Sequence, residues 1–338
     1  MNNERISQIG ERGLIKFFLN KRDKLLDDSD SLVYKSYYDD AALEENHGKY
    51  TVLSTDMLIQ HTHFPPNMTY YQMGEKIVTV NVSDIMASNA TCTSILISMA
   101  LPRDMTMDDF DMLTEGILDK CLEYDVKLIG GDMNENDEII LSATAIGTAD
   151  KDVKLLSGVN GGDLIAVTGE LGSPAAGLDL IYNDMDIPED AKNKLIDSIL
   201  EPTLPLETFK LLHDYPDMIT SMTDITDGLA LELETLKEKN YNIGFNLNYN
   251  SIAHDEYLTD IAAYNNKTIE DYILHFGEEF ELLLTLDPIQ YEKYKPIFSD
   301  KLFIIGKCDN TGKLTLTKDN KKVPIKPKGY EHLRDDHE

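Results

Sequence analysis

The sequence predicts a mixed α/β chain of two domains, and three observations carry that expectation. Apolar, strand-like runs alternate with segments of helical spacing through the first half. A polar stretch over 148–154 then leads into the glycine-rich Gly158-Val159-Asn160-Gly161-Gly162-Asp163, after which a second alternating series begins. The length of 338 residues, with 42% hydrophobic composition, suffices for two ordinary cores. The domains are therefore expected at 1–152 and 153–338.

The elements follow in order. Residues 50–54 read as a strand, and 72–86 as a helix whose end falls near Asp84. A strand over 94–101 is closed by Pro102, which cannot donate to a ladder. Phe110, Leu113, Ile117, Cys121 and Leu122 form a helical stripe over 108–124. Strands are predicted over 126–130 and 139–147. The second half opens with a strand over 164–168, then Gly169, Gly172 and Gly177 around Ser173-Pro174-Ala175-Ala176. That is a strand, a turn and a helix, but its spacing is not G-x-G-x-x-G and no acidic residue stands on the next strand. A tight turn with close helix–strand packing is the preferred reading, with a phosphate contact at the helix start left open. Helices are predicted over 191–200, 206–213, 229–237, 257–264 and 289–297. Strands are predicted over 243–247, 280–286, 301–308 and 313–317, and 218–222 is a short apolar run.

Composition excludes several functions. Lys plus Arg is 31 and Asp plus Glu is 61, so the formal net charge is 31 − 61 = −30. Such a chain is unsuited to nucleic acid, where phosphate neutralisation supplies affinity, and to anionic membrane surfaces. The three cysteines, Cys92, Cys121 and Cys308, have neither zinc-type spacing nor an even count for disulfides. The start does not read as a signal peptide, and the longest apolar run, 95–101, is too short to span a bilayer. A cytoplasmic protein is expected. There is no P-loop, no kinase-type Gly-rich loop and no visible Ser, Cys or Lys nucleophile pattern.

Against that background stand four Asp motifs: Ser54-Thr55-Asp56, Asn81-Val82-Ser83-Asp84, Gly130-Gly131-Asp132 and Asp224-Ile225-Thr226-Asp227-Gly228. The first and third follow strand-like runs, so their carboxylates are expected at strand ends, converging on a common space. Oxygen-rich clusters suit Mg²⁺ and the phosphates it carries. Taken singly, each Asp reads equally as a cap or turn residue. A glycosidase also pairs carboxylates, but the chain has no Trp to form a sugar platform. His63 is a candidate contact for an anion or an ordinary loop histidine. Glu278-Glu279-Phe280-Glu281, taken alone, reads as a solvent-facing strand start.

These motifs, together with Asp39-Asp40-Ala41-Ala42-Leu43, His63-Phe64, Gly277-Glu278-Glu279-Phe280-Glu281-Leu282 and Gly329-Tyr330-Glu331-His332, resemble in kind and order those of the thiamine-monophosphate kinases. Thr168-Gly169 with Ala175-Ala176-Gly177-Leu178 is similar to that family's second-domain opening. The resemblance runs over 39–332. It implies the α+β, two-domain architecture of the aminoimidazole-ribonucleotide-synthetase-like (PurM-like) superfamily, which binds ATP without a P-loop. In it an N-terminal mixed sheet with helices pairs with a second copy in a homodimer, and the C-terminal domain is an α/β sandwich. It further implies several Mg²⁺ ions held by Asp40, Ser54, Thr55, Asp56, Asp84, Asp132, Asp224 and Asp227. ATP would lie near the dimer interface, approached by Gly131, Asp132 and Thr226, and thiamine monophosphate would meet His63, Glu278 and Tyr330.

The implied reaction is ATP plus thiamine monophosphate giving ADP and thiamine diphosphate. Its nucleophile is a phosphate with a second pKa near ~6, already largely ionised at neutral pH. No general base is needed, so no catalytic base is assigned, and catalysis reduces to positioning and charge neutralisation. Glu278 would suit a cationic thiazolium. Two alternatives remain open: a sister ATP-using enzyme, such as a purine-synthesis-type ligase, and a non-catalytic nucleotide-binding paralogue. The chain departs from the family at Tyr37-Tyr38, where glycines are usual, at Asn89, a position an αL backbone tolerates, and at Leu156, where the family has an ATP-contacting Arg.

Overall fold

The computed structural model describes residues 5–23, 39–150, 152–183 and 185–333; Tyr37 and Tyr38 lie outside the described residues. The strands are β1 (Ala42–Asn46), β2 (Lys49–Ile59), β3 (Thr91–Leu101), β4 (Lys127–Glu135), β5 (Ile140–Ala149), β6 (Leu164–Val167), β7 (Ile219–Asp224), β8 (Gly244–Asn248), β9 (Leu282–Leu286), β10 (Phe303–Asp309), β11 (Leu314–Lys318) and β12 (Lys321–Pro324). The helices are α1 (Gly10–Asp23), α2 (Gln60–His63), α3 (Tyr70–Ala87), α4 (Met107–Glu123), α5 (Ser173–Tyr182), α6 (Glu189–Leu200), α7 (Leu206–Asp214), α8 (Leu229–Lys239), α9 (Leu258–Tyr264), α10 (Ile269–Ile273) and α11 (Pro288–Phe298).

Two mixed sheets organise the chain. The first, in order β1-β2-β5-β3-β4, is antiparallel except for the β3–β4 pair. The second, in order β12-β11-β8-β10-β6-β9-β7, is antiparallel except for β8–β11. This is the mixed α/β arrangement that the alternating pattern predicts.

Helix α3 is the hinge of the architecture. Thr69 and Gln72 form a reciprocal capping box at its start, and Asn89, at φ +56°, takes the left-handed conformation just past its end. Fourteen of its eighteen residues are buried, Lys76, Thr79, Asn81 and Ser83 among them, so it is covered nearly all round. It packs on β2, β3 and β5 of the first sheet, on α4, and on β7 of the second sheet. Ile77, Val78 and Ile85 are fully buried there. Each such side chain contributes on the order of 1.5–3 kcal/mol. Among the described residues no helix is long and apolar enough to cross a membrane.

Several expectations are corrected. Strand β2 runs five residues past the predicted end at Ser54, to Ile59, and β4 runs to Glu135. Asp56 and Asp132 are thus mid-strand residues, because cross-strand pairing continues past the polar motif: Asp56 opposes Ala143, and Asp132 opposes Ser98. Asp84 likewise lies within α3, one turn before its end. Helix α1, strand β1 and strand β12 had no clear sequence signal.

Candidate active site

Register across the first sheet separates the first three Asp motifs. Asp56, Ala143, Ile97 and Gly131 form one crosswise row, while Met57, Ser142, Ser98 and Asp132 form the next. Adjacent rows point to opposite faces. Ala143 and Ile97 are buried, so Asp56 faces the core side, toward α3. Asp132 faces the other way from edge strand β4, whose residues are all exposed, and three strand spacings (~14 Å at ~4.8 Å each) separate it from the Asp56 column. Within one chain Gly131 and Asp132 therefore stand outside the cluster that the sequence reading groups them with. Gly131 also has a plain packing reason: a Cβ there would drive into the Ile97 carbonyl of β3.

The other carboxylates converge. Helix α3 supplies Ser83 and Asp84, and β7 delivers Asp224 and, past its end, Asp227. Ser54 Oγ donates to Asp84, and Ser83 Oγ donates to Asp224. Thr223 Oγ1 donates to Asp40 Oδ1 at 2.9 Å, leaving Asp40 Oδ2 buried without a hydrogen-bond partner. Asn81 Oδ1 accepts the Asp56 amide at 3.1 Å. Thr55, by contrast, turns outward and bonds the Ala143 carbonyl at 2.8 Å. The Asp227 amide donates to Glu232 Oε1 at 3.2 Å, bringing in a carboxylate that no motif marks.

Electrostatics follow from this crowding. Burial, then Asp224 and Asp39, hold Asp40 well above the ordinary carboxylate range. Burial, then Asp56 and Asp224, do the same to Asp84. Asp56 is raised by burial, against a lowering hydrogen bond with Asp84. Burial pushes Asp224 up to about 6, Asp227 to about 7 and Glu232 to about 8. Arg12 of α1 is a cation that opposes the shift at Asp227 and Glu232, while Glu11 beside it adds to the negative field at Asp56 and Asp227.

The cluster opens into a cavity of about 720 Å³. Asp56, Asp84, Thr226 and Asp227 line it, together with a second group of His63, Lys76, Glu278, Tyr330 and His332. Leu178, Tyr182, Ile199 and Phe276 give it apolar walls. Of the residues expected on substrate, His63, Glu278 and Tyr330 are all brought here. His63 accepts the Ile59 amide at Nδ1 (2.9 Å), which leaves Nε2 to face His332 Nε2 at 3.2 Å; burial first holds its pKa below the usual histidine value. Tyr330 meets the His332 ring edge-on, and its amide donates to the Asp227 carbonyl at 3.2 Å.

The segment after Gly277 is not the solvent-facing strand start expected of it. Phe280 is buried, and the Glu278 and Phe280 amides donate to the Thr226 and Ile225 carbonyls at 2.8 and 3.1 Å. Gly277 lies so close to Thr226 that a Cβ would overlap its carbonyl oxygen. The acceptor-end residue Glu278 and the Asp224–Asp227 loop are thus one backbone unit. Leu156, where the family has Arg, packs in the second core, and its amide donates to Asp39 Oδ1 at 3.1 Å.

Lys76 is the residue that motif reading missed. It is 1% exposed, forms an ion pair with Glu278, and donates to the His63 carbonyl at 2.9 Å. A signal existed: the one Lys of a helix that is buried nearly all round must find a partner. Among the described residues, no three His, Cys, Asp or Glu side chains already stand in chelating positions. The donor set nevertheless fits a hard cation: it is all oxygen, it is crowded with carboxylates held above their usual range, and Asp40 Oδ2 has no partner.

Comparisons with known proteins bear on the family and the fold. Residues 38–149 match the family model "AIR synthase related protein, N-terminal domain". The chain is 32% identical over 302 residues to a thiamine-monophosphate kinase of Methanocaldococcus jannaschii, covering 86% of this chain and 91% of that protein. It is 31% identical over 296 residues to one of Pyrococcus horikoshii, covering 88% and 90%. A solved structure described as AaThiL complexed with AMPPCP and TMP superposes with a TM-score of 0.84 at 25% identity, covering 98% of this chain and 100% of that one. A hydrogenase maturation protein HypE in complex with ATP shares the fold, with a TM-score of 0.65 at 15% identity.

Proposed function

The chain belongs to the thiamine-monophosphate kinase family, and from that membership we propose that it transfers the γ-phosphoryl group of ATP directly to thiamine monophosphate, giving ADP and thiamine diphosphate. One observation carries the reading: one cavity is lined both by members of an oxygen-only acidic cluster, Asp56, Asp84 and Asp227, and by Glu278, His63 and Tyr330. That is the layout a phosphate donor and a cationic-ring acceptor need when each is to be held by one end.

Mg²⁺ would be held by Asp40, Ser54, Asp56, Asp84, Asp224 and Asp227; Thr55, turned outward, and Asp132, on the opposite sheet face, do not join them within one chain. When bound, it supplies the positive charge that lets two polyanions approach and that neutralises charge on the transferring group. The chain's own residues do the rest. Ser54 and Ser83 orient Asp84 and Asp224 through their hydroxyls. Asn81 and Glu232 fix the Asp56 and Asp227 backbones. Thr226 would approach the ATP phosphates. Leu178, Ile199 and Phe276 exclude water from the apolar wall. No residue need take a proton, since the attacking phosphate is already ionised. Glu278 would face the thiazolium cation.

Residues 1–152 would form the ATP- and Mg²⁺-binding, dimerising domain and 153–338 the C-terminal PurM-like domain of a cytoplasmic homodimer. Support for pairing comes from the outer side and edge of the first sheet, where Met57, Leu128, Ile129 and Met133 are exposed. A long apolar edge strand left bare is an aggregation hazard, so it needs a cover, and the family's ATP site lies near the interface that pairing would make. Ile129→Lys should shift sedimentation from dimer to monomer; a wild-type monomer would sink the dimer reading.

The activity itself is tested by incubating the protein with ATP, Mg²⁺ and thiamine monophosphate. ADP and thiamine diphosphate should appear in equal amounts. A folded protein that makes neither overturns the proposal.

A further inference from the structure

Glu278 stands at φ +62° and Phe280 at φ +51°, a left-handed conformation uncommon outside glycine, twice within three residues. A backbone held this way persists only where its surroundings over-determine it, and such positions gather at functional sites. Here the surroundings are identifiable. The alternation turns Glu278 toward the cavity and Glu279 away from it. Glu279 Oε1 accepts the Gly172 amide at 2.6 Å, at the start of α5. Burial holds the Glu279 carboxyl well above its ordinary range, so this anchor is a hydrogen bond from the very helix-start amide that was left open for a phosphate. Glu281, next along, accepts Thr168 Oγ1 in the same loop. From the opposite side Lys76 of α3 pairs with the Glu278 carboxylate and, through the His63 carbonyl, ties it to α2.

We propose that Lys76 and Glu279 are positioning residues for the acceptor: together they preset Glu278 in the cavity so that it meets the acceptor's cationic ring without reorganising. The assignment rests on the kinase reading given above. Lys76 fixes the carboxylate from the first domain, and Glu279 fixes the backbone from the second. Prepaid ordering of this kind appears in acceptor affinity and leaves the donor side unaffected.

The test is kinetic, with a binding measurement beside it. Lys76→Met and Glu279→Ala should each raise KM for thiamine monophosphate about tenfold or more, with kcat at saturating acceptor and KM for ATP within about threefold of wild type. Glu279→Gln, which still accepts the Gly172 amide, and Lys76→Arg should restore most of the loss. If Lys76→Met does not fold, Lys76→Met/Glu278→Gln removes the unpaired carboxylate and should match Glu278→Gln alone. Uniform losses in kcat and both KM values, or a double variant much worse than Glu278→Gln, would assign the two residues to structure only and overturn the inference. Calorimetric binding of thiamine monophosphate without ATP separates the two proposals. If wild type binds but does not turn over, the kinase reading fails while positioning is still read from the variants' affinities.

Discussion

At the Asp84 end of the cavity carboxylates face hydroxyls and one another, whereas at the Glu278 end each has a partner of its own. Asp84 has Ser54, Asp224 has Ser83, and Asp40 has Thr223 with one oxygen left over. Glu278 has the ammonium of Lys76, and Glu279 has the Gly172 amide. The difference teaches what each end awaits. Hydroxyls orient a carboxylate but do not balance its charge, and Arg12 offsets only part of the charge at Asp227 and Glu232, so the first end awaits further cations from outside. At the second, Glu278 has a buried ammonium beside it, while Glu279 and Glu281 are held by an amide and a hydroxyl and burial raises both carboxyls.

The largest expected effect lies at the first end. Asp84→Asn should lower kcat by about a thousandfold, as the loss of a charge-organising group in a phosphoryl-transfer site does. Metal-free melting temperature should stay level or rise, because a crowded anion has gone. An unfolded variant, or one with wild-type turnover, would place Asp84 in the structure alone and erase the contrast between the ends.

Gly277→Ala addresses the joint between them. Its Cβ would overlap the Thr226 carbonyl, which no rotamer relieves, so about 2 kcal/mol or more of stability should be lost in chemical denaturation. KM for donor and acceptor should rise together, since the added Cβ displaces Thr226 directly as well as the neighbouring Glu278. A loss confined to one substrate would show the two ends to be independent.

The smallest effect is the pH dependence. Asp224, Asp227 and Glu232 sit at about 6, 7 and 8 in the folded chain, against ordinary values of 3.8, 3.8 and 4.5. Between those limits the folded protein binds more protons than the unfolded one, so metal-free stability falls as pH rises from about 4 to about 8. Millimolar Mg²⁺ should therefore raise the melting temperature more at pH 8 than at pH 5. A Mg²⁺ effect independent of pH would mean that the cation binds elsewhere than this cluster.

Much of the site was legible because its chemistry is local in sequence. Short Asp motifs, the missing P-loop and the ordered series from Asp40 to Tyr330 needed no fold to be read. What was misread turns on partners distant in the chain. Ser54-Thr55-Asp56 looked like a strand end because polar residues follow an apolar run; pairing with β5 carries the strand through them. Glu278-Glu279-Phe280-Glu281 looked solvent-facing because three of its four residues are charged; Lys76, Gly172 and Thr168 lie more than a hundred residues away and make it interior.

The sequence by itself determined the alternating elements and the oxygen-rich motifs, since periodicity and residue chemistry are properties of short stretches, and the order of those motifs carried the resemblance that implied the family and its two-domain architecture. Only the tertiary structure decided which donors share a space. Register sent Asp132 to the sheet face opposite Asp56, burial of α3 forced Lys76 onto Glu278, and two left-handed residues aimed that carboxylate at the cavity. A one-residue change of register or a change of sign in φ reverses where a side chain points, and both are set by neighbours that no local pattern contains.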